Sequence, residues 1–315
     1  MKSKIAFVAG LTGGVLVALS ATLVAGQVTG LINFTAGTPA VAGEVSGNFN
    51  AVKTAVDDNH ARIAALEAKL ASMTVTTLNG QPTVQFSGVN VRIVNGQGAT
   101  DSRNGRGNLI VGYDEPRDDT TFFCSIGTDL SDNPIPPSTS PTPPAACTAA
   151  GGTWAVSHKS GSHYLVVGER NNYSQSSAIV TGSFNTSNGR FADVTGGTAN
   201  TASAFGASVS GGIGNTASGG AASVSGGGNN TARGLNSSVS GGAGNTASAL
   251  LASVSGGELN TASGQSASVS GGNNNTASGD GASVSGGQGC NFGATNRKWV
   301  VGNSATPGCD ATHQN

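Results

Sequence analysis

The sequence predicts a mainly β chain: a parallel β-roll or β-solenoid of 15-residue coils, preceded by an N-terminal coiled-coil helix. Three observations lead there. A 15-residue unit recurs from Ile179 to Val284; each unit alternates apolar and polar residues; and a heptad seam precedes the repeats. A short fixed period marks a solenoid, in which each coil stacks only on its neighbours.

The repeat unit reads Ala-Ser-Val-Ser-Gly-Gly-x-x-Asn-Thr-Ala-Ser-Gly-x-x. An apolar column runs through Ile179, Val194, Val209, Val224, Val239, Val254, Val269 and Val284. An Asn column runs through Asn185, Asn200, Asn215, Asn230, Asn245, Asn260 and Asn275, each followed by Thr. Alternation with a period of two is the strand signal. It places Ala207 and Val209 on one face, opposite Ser208 and Ser210; it places Asn215 and Ala217 together, opposite Thr216 and Ser218. Paired glycines such as Gly211-Gly212 fall at corners, where positive φ is needed. The freely varying pairs after them, such as Ile213-Gly214 and Glu258-Leu259, belong to exposed corners. Val and Ala supply little apolar area, and burial yields only about 25 cal/mol per Å². Hydrogen bonds between coils must therefore contribute much of the stability. Two roles suit the Asn column: an amide ladder with each side chain donating to the next, or left-handed corner residues.

The chain begins with a signal-like segment. Lys2 and Lys4 precede an apolar stretch from Ile5 to Ala25, with small residues from Ser20 to Gly26. This is the pattern of a secretory signal peptide over residues 1–26. An uncleaved anchor is the alternative. Residues 27–43 read as a linker. A helix is expected over 44–74, with its start signalled by Thr38-Pro39. Its seam is Val45, Phe49, Val52, Val56, Asn59, Ile63, Leu66, Leu70 and Met73, spaced alternately four and three. That average of 3.5 predicts a left-handed coiled coil; an amphipathic helix packed on its own chain is the alternative. Asn59 falls at a d position, where a polar residue sets register and oligomer state. Residues 75–112 read as a β-rich cap and first coil, with Val84, Phe86, Val89, Val91, Ile93 and Val94 expected to close the open end of the solenoid.

Between 113 and 160 the pattern breaks. Pro134, Pro136, Pro137, Pro141, Pro143 and Pro144 mark an insertion with polyproline character. Cys124 and Cys147 flank it, and Cys290 and Cys309 lie near the C-terminus. In an exported chain these read as two disulfides, Cys124–Cys147 and Cys290–Cys309, although four cysteines allow three pairings. A zinc site is the competing reading, but there is no Cys-x-x-Cys pair. Solenoid repeats are expected over 161–297 and a C-terminal cap over 298–315.

The repeat resembles the heads of trimeric autotransporter adhesins, a left-handed parallel β-roll. The likeness rests on Ser208-Val209-Ser210-Gly211-Gly212, its copies and the Ala-rich second run, over roughly residues 105–112 and 161–290. The period is fifteen where those heads use fourteen, and Gly-Gly stands where they have Ile-Gly. Coil-like runs also precede the strict repeat, at Asn108–Gly112 and Tyr164–Gly168. The resemblance implies a homotrimer, and it extends to Asn59, since stalks of that family carry Asn at d around a central anion. No C-terminal membrane barrel is recognisable, so a complete autotransporter is not expected.

Charged residues make up 10% of the chain and the net charge is −1, which leaves nothing to attract nucleic acid. His60, His158, His163 and His313 are scattered and expected to be solvent-exposed. Asp118-Asp119, Asp129 and Asp132 match no calcium motif, and the glycines lack the Gly-Lys-Ser/Thr ending of a phosphate loop. No catalytic, cofactor or metal residues are expected, and a polysaccharide-processing enzyme would need a clustered acidic or basic site.

Two functions remain. The first is a secreted or cell-surface structural or adhesin-like fibre of a bacterium, a trimeric stalk with a β-roll head that meets a surface glycan or matrix receptor. Its membrane contact would be confined to an uncleaved signal segment. The second is an ice-binding solenoid, through the outward row Thr216, Ser218, Thr246, Ser248, Thr261, Ser263, Thr276 and Ser278, interrupted by Arg233. Insect ice-binding solenoids resemble this row in repeat length and Thr spacing. Plain solvated strand residues would also look like this.

Overall fold

The computed structural model describes residues 27–101, 103–118, 123–125, 153–292 and 299–300. The signal-like segment, most of the Pro-rich insertion and the C-terminal cap expected from the sequence lie outside the described residues. The chain forms two compact units, one up to Val91 and one from Arg92 onward.

The described residues of the first unit form a helix, α1 (Ala42–Leu70), and a hairpin of β1 (Met73–Leu78) and β2 (Gln81–Phe86). The helix starts later than Thr38-Pro39 suggests. Thr38 is committed to a turn, its N–H and Oγ1 both donating to Thr35 O, at 3.2 and 2.7 Å. Val41 is the extended N-cap residue. Asn48 clasps the preceding segment: Ile32 N donates to its Oδ1 at 2.7 Å, and its Nδ2 donates to Ile32 O at 2.9 Å. The covered positions of α1 are Glu44, Val45, Asn48, Ala51 and Ala55, of which Val45 alone belongs to the expected seam. The helix also stops short of residue 74, and Met73 opens β1 instead of closing the seam. Four consecutive β-branched residues, Thr74 to Thr77, favour a strand over further helical turns.

The strand over Val84 and Phe86 is not a coil of the solenoid. β2 pairs antiparallel with β1, Met73 opposite Phe86 and Leu78 opposite Gln81. Asn79 and Gly80 both have positive φ, +50° and +80°, the pairing a two-residue hairpin turn requires. Residues 87–94 carry no strand.

The second unit is a parallel β-solenoid of about eight coils. One sheet of eleven strands begins with Leu109–Val111, Ser162–Glu169 and Ser176–Ser183. It continues through Asp193–Val194, Ser208–Val209 and their copies to Ser283–Val284 and Trp299–Val300. A second sheet of nine strands begins with Asn172–Tyr173 and Thr186–Ser187 and runs through Thr201–Ala202 and its copies to Asn291–Phe292. A third column of single parallel bridges joins Ser183, Thr198, Ile213, Gly228, Ala243, Glu258, Asn273 and Gln288. The run Leu109–Val111 pairs in register with Leu165–Val167, so the coil is interrupted by the insertion and then resumed. At the neck of that insertion Lys159 forms an ion pair with Asp114, 2.9 Å apart. Farther out, residues 123–125 and 153–155 pair antiparallel.

The core is thin, as the composition requires. Val194, Val209, Val224, Val239, Val254, Val269 and Val284 are fully buried, with Ala202, Ala207, Ala217 and their copies beside them. The first member of the apolar column is Val180, not Ile179. Val180 pairs with Val194 and is 0% exposed, whereas Ile179 is 37% exposed. The first coils are thus fourteen residues long, with Val166 over Val180 over Val194, and the fifteen-residue spacing begins at Val194.

Only the second glycine of each corner is structurally demanded. Gly242 has φ +84°, and a Cβ on it would collide with the carbonyl oxygen of Gly257 in the next coil, whereas a Cβ on Gly241 would meet nothing. Gly242→Ala should therefore lose about 2 kcal/mol or more through backbone strain and collision, and Gly241→Ala should melt close to the parent. Thermal unfolding by circular dichroism checks the pair; equal effects would contradict this account of the corner.

Candidate functional site

The repeated corner is where the most specific side-chain chemistry lies. The Asn side chains do not bond to one another, and they do not take the left-handed conformation. That conformation belongs to the residue before each, such as Ala199, Asn229, Leu259 and Asn274. Asn245 illustrates the pattern. Its Oδ1 accepts the backbone N–H of Asn260 in the next coil, at 2.9 Å. Its Nδ2 donates to Gly241 O in its own coil and to Gly257 O in the next, both at 2.9 Å. Each Asn from Asn200 to Asn275 is fully buried and repeats these bonds. The amide thus serves backbone groups that the turning chain would leave unpaired.

The column reaches further than the strict repeat. Asn171 Oδ1 accepts from Asn185 N at 3.0 Å, fourteen residues away. Its neighbour Asn172 lies in the Thr row, opposite Thr186, and its Oδ1 accepts from His158 N at 2.9 Å. His158 is buried, contrary to the exposed state expected of it. A fifteen-residue search steps past Asn171, which is why the sequence pattern misses it. At the other end Cys290 N donates to Asn275 Oδ1 at 2.9 Å. Cys290 thus stands at the Asn position, as its place in the repeat suggests. The Cys290 side chain carries no amide, so the Asn pattern stops at this position. The side chain of Cys124 and the whole of Cys147 and Cys309 lie outside the described residues.

The row of hydroxyls is continuous. Thr186, Thr201, Thr216, Thr231, Thr246, Thr261 and Thr276 pair in register, strand to strand. All but Thr186 are partly open to solvent. Thr186 is covered by Arg117 from the insertion, whose Nη2 donates to Thr186 Oγ1 at 2.8 Å and to Asn185 O at 3.0 Å. The flanking row holds Ser203, Ser218, Arg233, Ser248, Ser263 and Ser278. With strands about 4.8 Å apart, Thr201 to Thr276 span roughly 24 Å.

The other end of this stack has a polar, aromatic core. Tyr164 and Tyr173 lie against one another, ring centroids 5.2 Å apart. Burial pushes the Tyr164 phenol up to about 12 and raises that of Tyr173, the latter helped by the nearby Asp114 charge. Both phenols stay neutral where the unfolded chain would ionise near 10, so this end loses stability as pH rises from 10 towards 12.

Among the described residues, no three His, Cys, Asp or Glu side chains gather as a metal site, and no helix is long and apolar enough to cross a membrane. His60 is exposed on α1, and His163 Nδ1 lies 3.0 Å from Thr100 O. The seam residues Phe49, Val52, Val56, Asn59, Ile63, Leu66 and Leu70 all lie exposed on α1, and Val45 is half-buried. Compared with known proteins, the chain matches no family model, and no curated protein matches it.

Two substitutions separate the hydrogen-bonding role of the Asn column from general packing. Asn245→Ala leaves the buried Asn260 N–H and the Gly241 carbonyl without their partner, a loss of about 2–4 kcal/mol. Ser237 occupies an Ala position of the core, and its buried Oγ has no partner. Ser237→Ala should gain about 1 kcal/mol. Chemical denaturation of both variants tests this; a neutral Asn245→Ala would refute the backbone-serving role.

Proposed function

We propose that this chain is a non-enzymatic, exported fibre protein that self-associates through α1 and presents its solenoid as a repetitive binding head. The observation that carries this reading is the exposed seam. Phe49 is 71% exposed, and Val56, Ile63, Leu66 and Leu70 are each at least half exposed in the single chain. Burying one such side chain is worth about 1.5–3 kcal/mol, and a helix of 29 residues draws most of its stability from such packing. Three copies, with Asn59 of each at a shared d layer, are the state the resemblance to trimeric autotransporter adhesins favours.

The head suits multivalent contact. Successive coils repeat the same outward hydroxyls at one spacing, so a weak contact with one unit of a surface glycan or matrix polymer is repeated along the stack. Disulfides Cys124–Cys147 and Cys290–Cys309 would close the insertion and the C-terminal end in an oxidising exterior.

A second reading draws on the Thr column. Six solvent-facing Thr in unbroken register form a flat lattice of methyls and hydroxyls, the arrangement expected of an ice-binding face. Shaping of ice crystals with thermal hysteresis, lost on Thr246→Lys, would favour it over the fibre reading.

Sedimentation of the intact chain at micromolar concentration should give a trimer. Asn59→Leu should raise its melting temperature while broadening its stoichiometry. Peptide mapping of the same material without reductant should recover both disulfides. A monomer in sedimentation would overturn the fibre reading.

A further inference from the structure

The hairpin after α1 has an apolar face that nothing in its own chain unit covers. Antiparallel register puts Met73 opposite Phe86 and Val75 opposite Val84, with Pro82 opposite Thr77, all on one face. The other face carries Thr74, Thr76, Thr83 and Gln85, with Leu78 and Gln81 at the turn. Every residue of both strands except Thr83 is exposed; Val75 is 76% exposed, Val84 55% and Phe86 53%. A two-stranded hairpin alone is marginal in water. The Asn79-Gly80 turn sets its register but adds no buried area.

We infer that this apolar face packs against the same face of other copies of the chain, extending the assembly begun by α1. The inference rests on the self-association reading above and adds a second, contiguous contact to it. Only Ala71 and Ser72 separate α1 from β1, a tether of about 7 Å at full extension. Leu70 ends the helix seam and Met73 begins the hairpin face, three residues on, so an assembly that buries the one holds the other close by. Copies aligned by α1 hold their hairpins at millimolar effective concentration, where identical faces outcompete a foreign partner. Met73 to Phe86 contains no charged residue, so like faces meet without repulsion. The helix seam fixes which copies meet, and the hairpin faces then gain the cover they lack in one chain.

Cysteine pairing tests the contact in the full chain. Val75→Cys and Thr76→Cys sit on opposite faces of β1. Mild oxidation, then trypsin, isolates residues 70–92, a peptide with no native cysteine. The Val75→Cys chain should give abundant 75–75 linked peptide between copies, and the Thr76→Cys chain at least tenfold less. Equal yields, or no 75–75 link in a chain that sediments as a trimer, would overturn the hairpin contact and leave the helix assembly standing. A monomeric parent chain would overturn both. Independently, Val75→Lys with Val84→Lys should raise the concentration for half-dissociation at least tenfold without altering the circular dichroism of the dilute chain; unchanged association would sink the inference.

Discussion

The corner between the two sheets is the constraint on which the solenoid depends. A coil of fifteen residues must turn several times, and at each turn some backbone groups lose their strand partners. A thin Val and Ala core cannot offset many unpaired groups. The Asn amide removes the deficit with three bonds, one accepted and two donated, and two of them reach the next coil. Because Oδ1 of one coil holds the N–H of the next, the same atoms that close a corner also fix inter-coil register. The positive φ of the second glycine follows from this, since its carbonyl is aimed at an Asn of the preceding coil while leaving no space for a Cβ.

The ends of the column reflect the same requirement. Asn171 carries it back into the fourteen-residue coils, where larger side chains, Tyr164 and Tyr173, thicken the core. There the insertion is pinned from both sides, by the Asp114–Lys159 pair and by Arg117, which donates to backbone carbonyls of the coil at 184–186. Toward the C-terminus the N–H of Cys290 takes the last bond from the column, and the amide pattern stops where the residue type changes.

The first unit follows opposite physics. Its helix and hairpin satisfy their backbone bonds locally, through propensity and an Asn-Gly turn, yet bury almost no apolar side chain. Local order without burial is a marginal arrangement for a water-exposed chain. The apolar seam of α1 and the apolar face of the hairpin stay exposed in the single chain, whereas the Val and Ala columns of the solenoid are buried within it.

Much of this was legible in the residues alone. The period, the inward Val and Ala, the outward Ser and Thr, the coil at Leu109–Val111 and the helix follow from alternation and spacing, which are local properties of the chain. Asn79-Gly80 is a two-residue hairpin signal that the sequence reading passed over, and the pairing of β2 with β1 emerges only in the fold. Other features are decisions of the tertiary structure. Whether Ile179 or Val180 faces inward depends on a coil length that switches from fourteen to fifteen at Val194. The burial of His158 and the covering of Thr186 by Arg117 come from segments distant in sequence. The Asn column bonds to backbone instead of to itself because the carbonyls and N–H groups around it are left unpaired by a turn that exists only once the coils have stacked. Sequence period encodes which side of a strand a residue faces; which backbone atom it meets depends on the neighbouring coil.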